Sequence, residues 1–362
     1  APGDLGLARA YIAGDLELVG AHPADPYEAL RALAGDLEFT RPSALTLAQV
    51  ARSLGIEHFK PIAPPPQEAV PRWRRFAEGF RHSKSRDAEV IHHHYDVSNT
   101  FYEWVLGPSM TYTCAYYPSP DATLEEAQEN KYRLIFDKLR LKEGDRHLDV
   151  GCGWGGMVRY AARRGVKSIG VTLSKEQAEW GQRKIEEEGL QDLAEVRFMD
   201  YRDVPEGGFD AVSSIGLTEH IGIHNYPSYF SSLYEKLKPG GRLLNHCITY
   251  ASAKRHGLTK GGFINRYVFP DGELAPAGAL MTQMQLAGFE VRHAEDLREH
   301  YARTTREWAK NLSRNWDECV RLSDLGTARI WGLYLSGSSL GFERNNIQLY
   351  QMLGQKLDDR GH

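Results

Sequence analysis

Apolar and polar positions along the chain follow two rhythms. Over residues 1–60 the apolar residues recur at helical spacing in Leu5–Ile12, Tyr27–Leu37 and Leu45–Leu54, which predicts three helices. Pro61–Pro66 is proline-rich and predicts a stiff linker. From Arg146 the rhythm changes. Short apolar runs at His147–Val150, Lys167–Val171, Glu195–Met199, Asp210–Ser214 and Arg242–Ile248 predict strands. Helical patterns at Met157–Arg164, Lys175–Glu188 and Pro227–Leu237 lie between them. Strand alternating with helix predicts an α/β fold with a mostly parallel, doubly wound sheet. Two long helical segments, Tyr301–Leu322 and Leu325–Leu340, precede a last strand at Ile347–Met352.

Composition narrows the class. The 362 residues are 41% hydrophobic and 25% charged, enough for a large core in one elaborated domain or two. A net charge of -4 gives no global case for nucleic-acid binding, and no DPPY-like catalytic motif is present. Basic surface must be local. Residues 71–86 mix six Lys/Arg with Trp73, Phe76 and Phe80. That stretch reads either as a solvated helix packing its aromatics on the core, or as a patch meeting anionic lipid head groups. Cys114, Cys152, Cys247 and Cys319 form no CxxC pair, so neither a zinc site nor a disulfide framework is expected. Three consecutive histidines, His92–His94, do not share a helix face, and no metal is expected there. No apolar run approaches the roughly 18 residues of a spanning helix, and Ala1–Asp4 reads as no signal peptide. These features predict a cytoplasmic protein that reaches a membrane, if at all, peripherally.

The unit at 147–164 is strand, glycine-rich loop, helix. Glycine lets a ligand approach the backbone where a Cβ would block it. The spacing Gly151, Gly153, Gly155, Gly156 is not the dinucleotide GxGxxG pattern. The second strand runs into Val171–Ser174 with no acid for an NAD ribose. Asp149, just before the loop, either orients the loop or a ligand amine, or serves as a turn residue.

Eight stretches together carry a resemblance: Val150–Gly156, Val171–Gln177, Thr218–Gly222, His94–Asp96, Thr111–Cys114, His246–Ile248, Tyr267–Pro270 and His300–Arg303. Taken in their order along the chain they resemble the cyclopropane fatty-acid synthase family, from about Leu5 to Gln351. The resemblance implies a seven-stranded, mostly parallel methyltransferase sheet with a small helical N-terminal domain. It divides the chain into a helical region at 1–65 with a lipid, membrane or dimer role, linker and lid helices at 66–145, and a catalytic domain at 146–362. An insertion around 250–340 would cover the substrate. Leu5–Gly14 is similar to the N-terminal domain of phospholipid-acting members, which the mycolic-acid enzymes lack.

The cofactor so implied is S-adenosylmethionine, leaving as S-adenosylhomocysteine. Gly151 and Gly153 would line its methionine moiety with Asp149. Thr172, Leu173 and Gln177 would hold the ribose and its surroundings. Tyr112 and Thr113 would close over it, with Ile215 near the adenosine. Asp200, Tyr201 and Arg202 would lie along the adenine, although the family often has Trp-Glu at the last two. The reaction implied is methyl transfer to an acyl-chain double bond. It needs alignment at near-attack distance, a dry cleft, and aromatic faces for the resulting carbocation; Phe269, Tyr301 and Tyr95 are candidates. In the family the base is bound bicarbonate, and the corresponding residues are Cys114, Glu219, His246, Ile248 and Tyr301. Singly, each has an ordinary reading: a buried thiol, a cap, a core histidine. Their joint position inside matching motifs favours the catalytic one. Gly216–His220, Asn245–Cys247 and Gly261–Asn265 look more like the methylene-forming branch, giving a 10-methylene acyl chain that a separate reductase would convert to a methyl branch. A cyclopropane product is the alternative. The rivals are a soluble small-molecule C-methyltransferase and a non-catalytic lipid- or cofactor-binding relative.

Overall fold

The computed structural model describes residues 4–35, 43, 46, 49, 52–53, 64–68, 98–252, 262–270 and 272–361. The third N-terminal helix lies largely outside these residues, and the first half of the proline linker, the basic-aromatic stretch, His92–His94 and Tyr95 lie outside them. The sheet has seven strands: β1 Arg146–Val150, β2 Lys167–Thr172, β3 Ala194–Phe198, β4 Phe209–Ile215, β5 Leu237–Tyr250, β6 Glu290–Asp296 and β7 Ile347–Gln355. Their spatial order is β3-β2-β1-β4-β5-β7-β6. β7 alone runs antiparallel to its neighbours, pairing with β5 and β6. The order reverses between β1 and β4, which opens a crevice at the carboxyl ends of the strands.

Among the described residues twelve helices accompany the sheet. Before it come α1 Asp4–Ala13, α2 Tyr27–Gly35, α3 Asn99–Leu106 and α4 Leu124–Leu139. Within it lie α5 Gly156–Ala162, α6 Lys175–Glu187, α7 Thr218–Ile221, α8 Tyr226–Lys236 and α9 Ala277–Leu286. Three more, α10 Arg298–Arg314, α11 Trp316–Leu322 and α12 Leu325–Glu343, stand between β6 and β7. α4 starts in a full capping box, Thr123 with Glu126, which satisfies two end N–H groups reciprocally. α1, α2 and α10 all pack on α12. At Gly332 a Cβ would stand 2.1 Å from the Pro23 carbonyl oxygen, so only glycine lets that chain cross α12 so closely.

Three elements differ from the periodicity. The single helix expected over Tyr301–Leu322 is two, because Asn315 leaves helical geometry (φ -111°, ψ 24°). Its side-chain amide donates to the Asn311 carbonyl at 3.0 Å and to the Trp104 carbonyl at 3.3 Å, pinning the bend to α3 while the backbone i→i+4 bond to Asn311 is kept at 3.1 Å. β6 has no apolar run; it forms as a mostly exposed edge strand by pairing with β7. His147, read as part of an apolar strand, is fully buried and polar-bonded. Its Nδ1 meets Ser168 Oγ on β2 at 2.8 Å, and its Nε2 meets Ser213 Oγ on β4 at 2.9 Å. Burial pushes its pKa down to about 3, so it ties three strands together as a neutral ring.

Candidate active site

The crevice at the strand ends holds one large cavity. Tyr112, Thr113, Asp149, Gly151, Gly153, Thr172, Leu173, Gln177, Tyr201, Arg202 and Ile215 all line it. Asp200 does not; it stands behind, accepting from the Arg202 backbone N–H at 2.9 Å and clamping the Arg202 guanidinium at 2.7 and 2.6 Å. Gly151 and Gly153 have φ of 71° and 56°, the left-handed region that favours glycine. Nothing lies within 4 Å of where a Cβ would stand on Gly153. The loop is therefore a cradle with room above it. The Thr172 hydroxyl donates to Gln177 Oε1 at 2.8 Å, so β2 and the start of α6 present hydroxyl and amide groups where a ribose acid is absent. Asp149 accepts from Ser213 Oγ, and burial pushes its carboxyl up to about 7. Apolar walls, hydrogen-bonding groups and an open glycine loop suit an adenosine with an amino-acid tail.

Beside the cavity, β4 and β5 carry a second cluster. Ile215 pairs with His246 in register, and α7 follows directly. The Thr218 hydroxyl donates to buried Asn245 Oδ1 at 2.6 Å, which anchors α7 and aims Glu219. Glu219 Oε1 accepts from the Ile248 N–H at 2.7 Å. Its Oε2 is buried without a partner among the described residues, and burial pushes its carboxyl up to about 7. His246 is wholly buried, and burial holds its pKa well below the usual imidazole range. Lys138 Nζ donates to Gln351 Oε1 at 2.7 Å, which turns the Gln351 amide N–H toward His246 Nδ1 at 3.2 Å. A neutral ring accepting at Nδ1 carries its proton on Nε2. That Nε2–H is also buried without a partner among the described residues.

Cys114 and Tyr301 reach the same place through Leu297. The Leu297 N–H donates to the carbonyl of Leu349, the register partner of Ile248. The Leu297 carbonyl receives the Tyr301 N–H at 3.1 Å and the Cys114 thiol at 3.7 Å. Burial pushes the Cys114 thiol well above its usual range, so no thiolate stands there and the side chain is no nucleophile. Glu219, His246 and Ile248 thus meet on β5, and Cys114 and Tyr301 are joined through Leu297 to the neighbouring strand β7.

An aromatic wall joins the two parts. The Tyr112 ring lies 5.4 Å from Trp308, 5.7 Å from Trp331 and 5.9 Å from Tyr102. Its hydroxyl bonds the Tyr334 hydroxyl at 3.1 Å. Phe269, just past a single π-helical turn at Ile264–Val268, lies 5.8 Å from Tyr334 and 5.4 Å from the cavity residue His220. Tyr301 stacks on Phe342 at 4.5 Å. The sequence reading missed Trp308, Trp331, Tyr334 and Lys131. For Lys131 a signal existed: with Ala127, Gln128 and Ile135 it falls on the buried stripe of α4, where an unpaired lysine is rare.

The family model for mycolic acid cyclopropane synthetase matches residues 82–352. A probable fatty acid methyltransferase of Mycobacterium tuberculosis is 64% identical over 361 residues, covering 100% of this chain and 84% of its own length. A probable fatty acid methyltransferase of Pseudomonas putida is 44% identical over 285 residues, covering 78% of this chain and 72% of its own. Among solved structures, the cyclopropane synthase MmaA2 from Mycobacterium tuberculosis superposes with TM-score 0.68 at 32% identity, over 75% of this chain and 98% of that one. The mycolic acid cyclopropane synthase CmaA1, complexed with S-adenosylhomocysteine, gives TM-score 0.69 at 31% identity, over 74% and 98%. The chain belongs to the mycolic acid cyclopropane synthetase family and is an S-adenosylmethionine-dependent methyltransferase.

Proposed function

We propose that the enzyme methylates the double bond of an unsaturated fatty-acyl chain carried on a membrane phospholipid. One observation carries this reading. Two complementary polar atoms, Glu219 Oε2 and His246 Nε2–H, are buried without partners among the described residues, beside an aromatic wall that adjoins the cofactor cavity. Buried polar groups in folded proteins are bonded, so this pair awaits a small group that accepts from one and donates to the other. Bicarbonate does both. Glu219, His246, the Ile248 backbone, Tyr301 and the Cys114 backbone would hold it. When bound, S-adenosylmethionine supplies an electrophilic methyl group.

The chain's own residues then do four things. The glycine loop and the Thr172–Gln177 pair orient the donor. Trp308, Trp331, Tyr334 and Phe269 exclude water and offer π faces to a positive centre on the acyl chain. The Lys138–Gln351 chain keeps the His246 proton on Nε2, facing the anion. Glu219, held near pH 7 in its titration, is tuned to pass on the proton that the anion collects. Hydride shift before proton loss gives the methylene branch, supported by the resemblance of Gly216–His220, Asn245–Cys247 and Gly261–Asn265 to the methylene-forming members; direct closure gives the cyclopropane. Residues 1–65 and the basic-aromatic stretch would bring the enzyme to an anionic membrane surface, and a separate reductase would act on a methylene product.

The test is incubation with methyl-labelled S-adenosylmethionine and vesicles of oleoyl phospholipid, followed by mass spectrometry of the acyl chains. Label in a methylene-branched chain is expected. Label in a ring alone would overturn the product assignment. No labelled acyl chain, with transfer to free small substrates instead, would overturn the acyl reading itself.

A further inference from the structure

Lys131 is fully buried and lines the cofactor cavity. Its Nζ donates to Thr113 Oγ1 at 3.0 Å and lies 3.9 Å over the Tyr132 ring. Among the described residues no carboxylate pairs with it. Asp149, the acid it feels across the cavity, is bonded to Ser213. Cys114 and His246, its other polar neighbours, are both held neutral by burial. A buried ammonium with unused N–H donors needs an anion.

The cavity itself indicates which one. Its other extended cation, Arg202, is already clamped to Asp200 beyond β3. Lys131 stands with Thr113, Asp149 and Gly151, at the glycine-loop end. An adenosine held by Thr172 and Gln177 places its amino-acid tail at that end. We propose that Lys131, steadied by Thr113, is the counter-ion for the carboxylate of the cofactor's methionine moiety. Asp149, which accepts from Ser213 through Oδ1, then faces the tail's ammonium with its other oxygen. This assignment rests on the cofactor class alone and is independent of the acyl substrate.

Burial lowers the Lys131 pKa to about 7 in the unliganded protein. A bound carboxylate restores the charged form, so the lysine recognises the tail without standing as a permanent cation beside a sulfonium.

The test is calorimetric binding of two probes to the native enzyme and to Lys131→Met. S-adenosylhomocysteine has the amino-acid tail; 5′-methylthioadenosine lacks it. The substitution is expected to weaken S-adenosylhomocysteine by about tenfold to a hundredfold, as loss of a charge-assisted contact does, and to leave 5′-methylthioadenosine unchanged. Equal weakening of both would mean that Lys131 only props the loop, and would overturn the proposal. So would unchanged binding of both. Each titration is repeated with added bicarbonate. A loss confined to the bicarbonate arm would reassign the lysine to that anion, again overturning the proposal. Failure of the acyl-chain assay would leave these outcomes untouched.

Discussion

At the scale of residues, the site is built from groups whose ordinary chemistry burial has altered. Glu219 is the sharpest case. Burial pushes its carboxyl up to about 7 from the ordinary 4.5 of an exposed glutamate, so the folded state binds that proton more tightly than the unfolded chain. The penalty is absent below pH 4.5, grows as pH rises toward 7 and stays constant above it. Full development corresponds to on the order of 3 kcal/mol. Glu219→Gln keeps an acceptor for the Ile248 N–H and removes the titration. It is expected to raise the melting temperature at pH 8, with the gain gone by pH 4. Methyl transfer should fall by about a hundredfold or more, while S-adenosylhomocysteine affinity holds. Near-full turnover would refute the role given to Glu219. The candidate base and cofactor residues were legible in the sequence because they sit inside contiguous motifs. The protonation of His246 was not, since it depends on Gln351 and Lys138, which meet only in the fold.

At the scale of elements, the segment that carries Phe269 is tied down from a distance. Glu68, with a side chain 3% exposed, accepts twice from Arg9 of α1 at 2.6 Å and once from the Tyr267 hydroxyl at 2.9 Å. Arg266 stands 3.8 Å away. One carboxylate thus joins the first helix to the π-helical turn. These bonds offset the burial that would otherwise raise its pKa, and hold the carboxyl below its usual value. Glu68→Gln leaves Arg9 without a counter-charge and should destabilise the fold by about 1–3 kcal/mol. Hydrogen exchange across residues 262–270 should speed up, and KM for vesicle substrate should rise at unchanged cofactor affinity. Unaltered exchange there would show that the turn holds its shape without the clamp. The pattern of apolar positions had no way to announce this link, because Arg9, Glu68 and Tyr267 are far apart in sequence and none belongs to a periodic stripe.

At the scale of the molecule, the two halves of the reaction come from different layers. The sheet supplies the crevice and the Glu219–His246 cluster proposed to handle the proton; α10 and α12 carry Trp308, Trp331 and Tyr334 of the aromatic wall. Among the described residues no helix is long and apolar enough to cross a membrane. Replacing Arg72, Arg74 and Arg75 with glutamine is expected to weaken binding to anionic vesicles. The loss should be larger at low salt than above about 0.5 M, where surface charges are screened. Vesicle binding unchanged at low salt would remove the membrane role of that stretch.

The chain by itself determined the βαβ order, the glycine loop and most of the candidate site. Strand, turn and helix are encoded locally, and the loop chemistry lies within a few residues of the strand it follows. Tertiary structure alone decided what those residues face. Lys131 became a cavity residue only when α4 packed beside β4 and β5. Tyr112 met Tyr334 across 222 positions of chain, and Lys138 met Gln351 across 213. Burial depends on what packs around a group, and no periodicity along one segment records that.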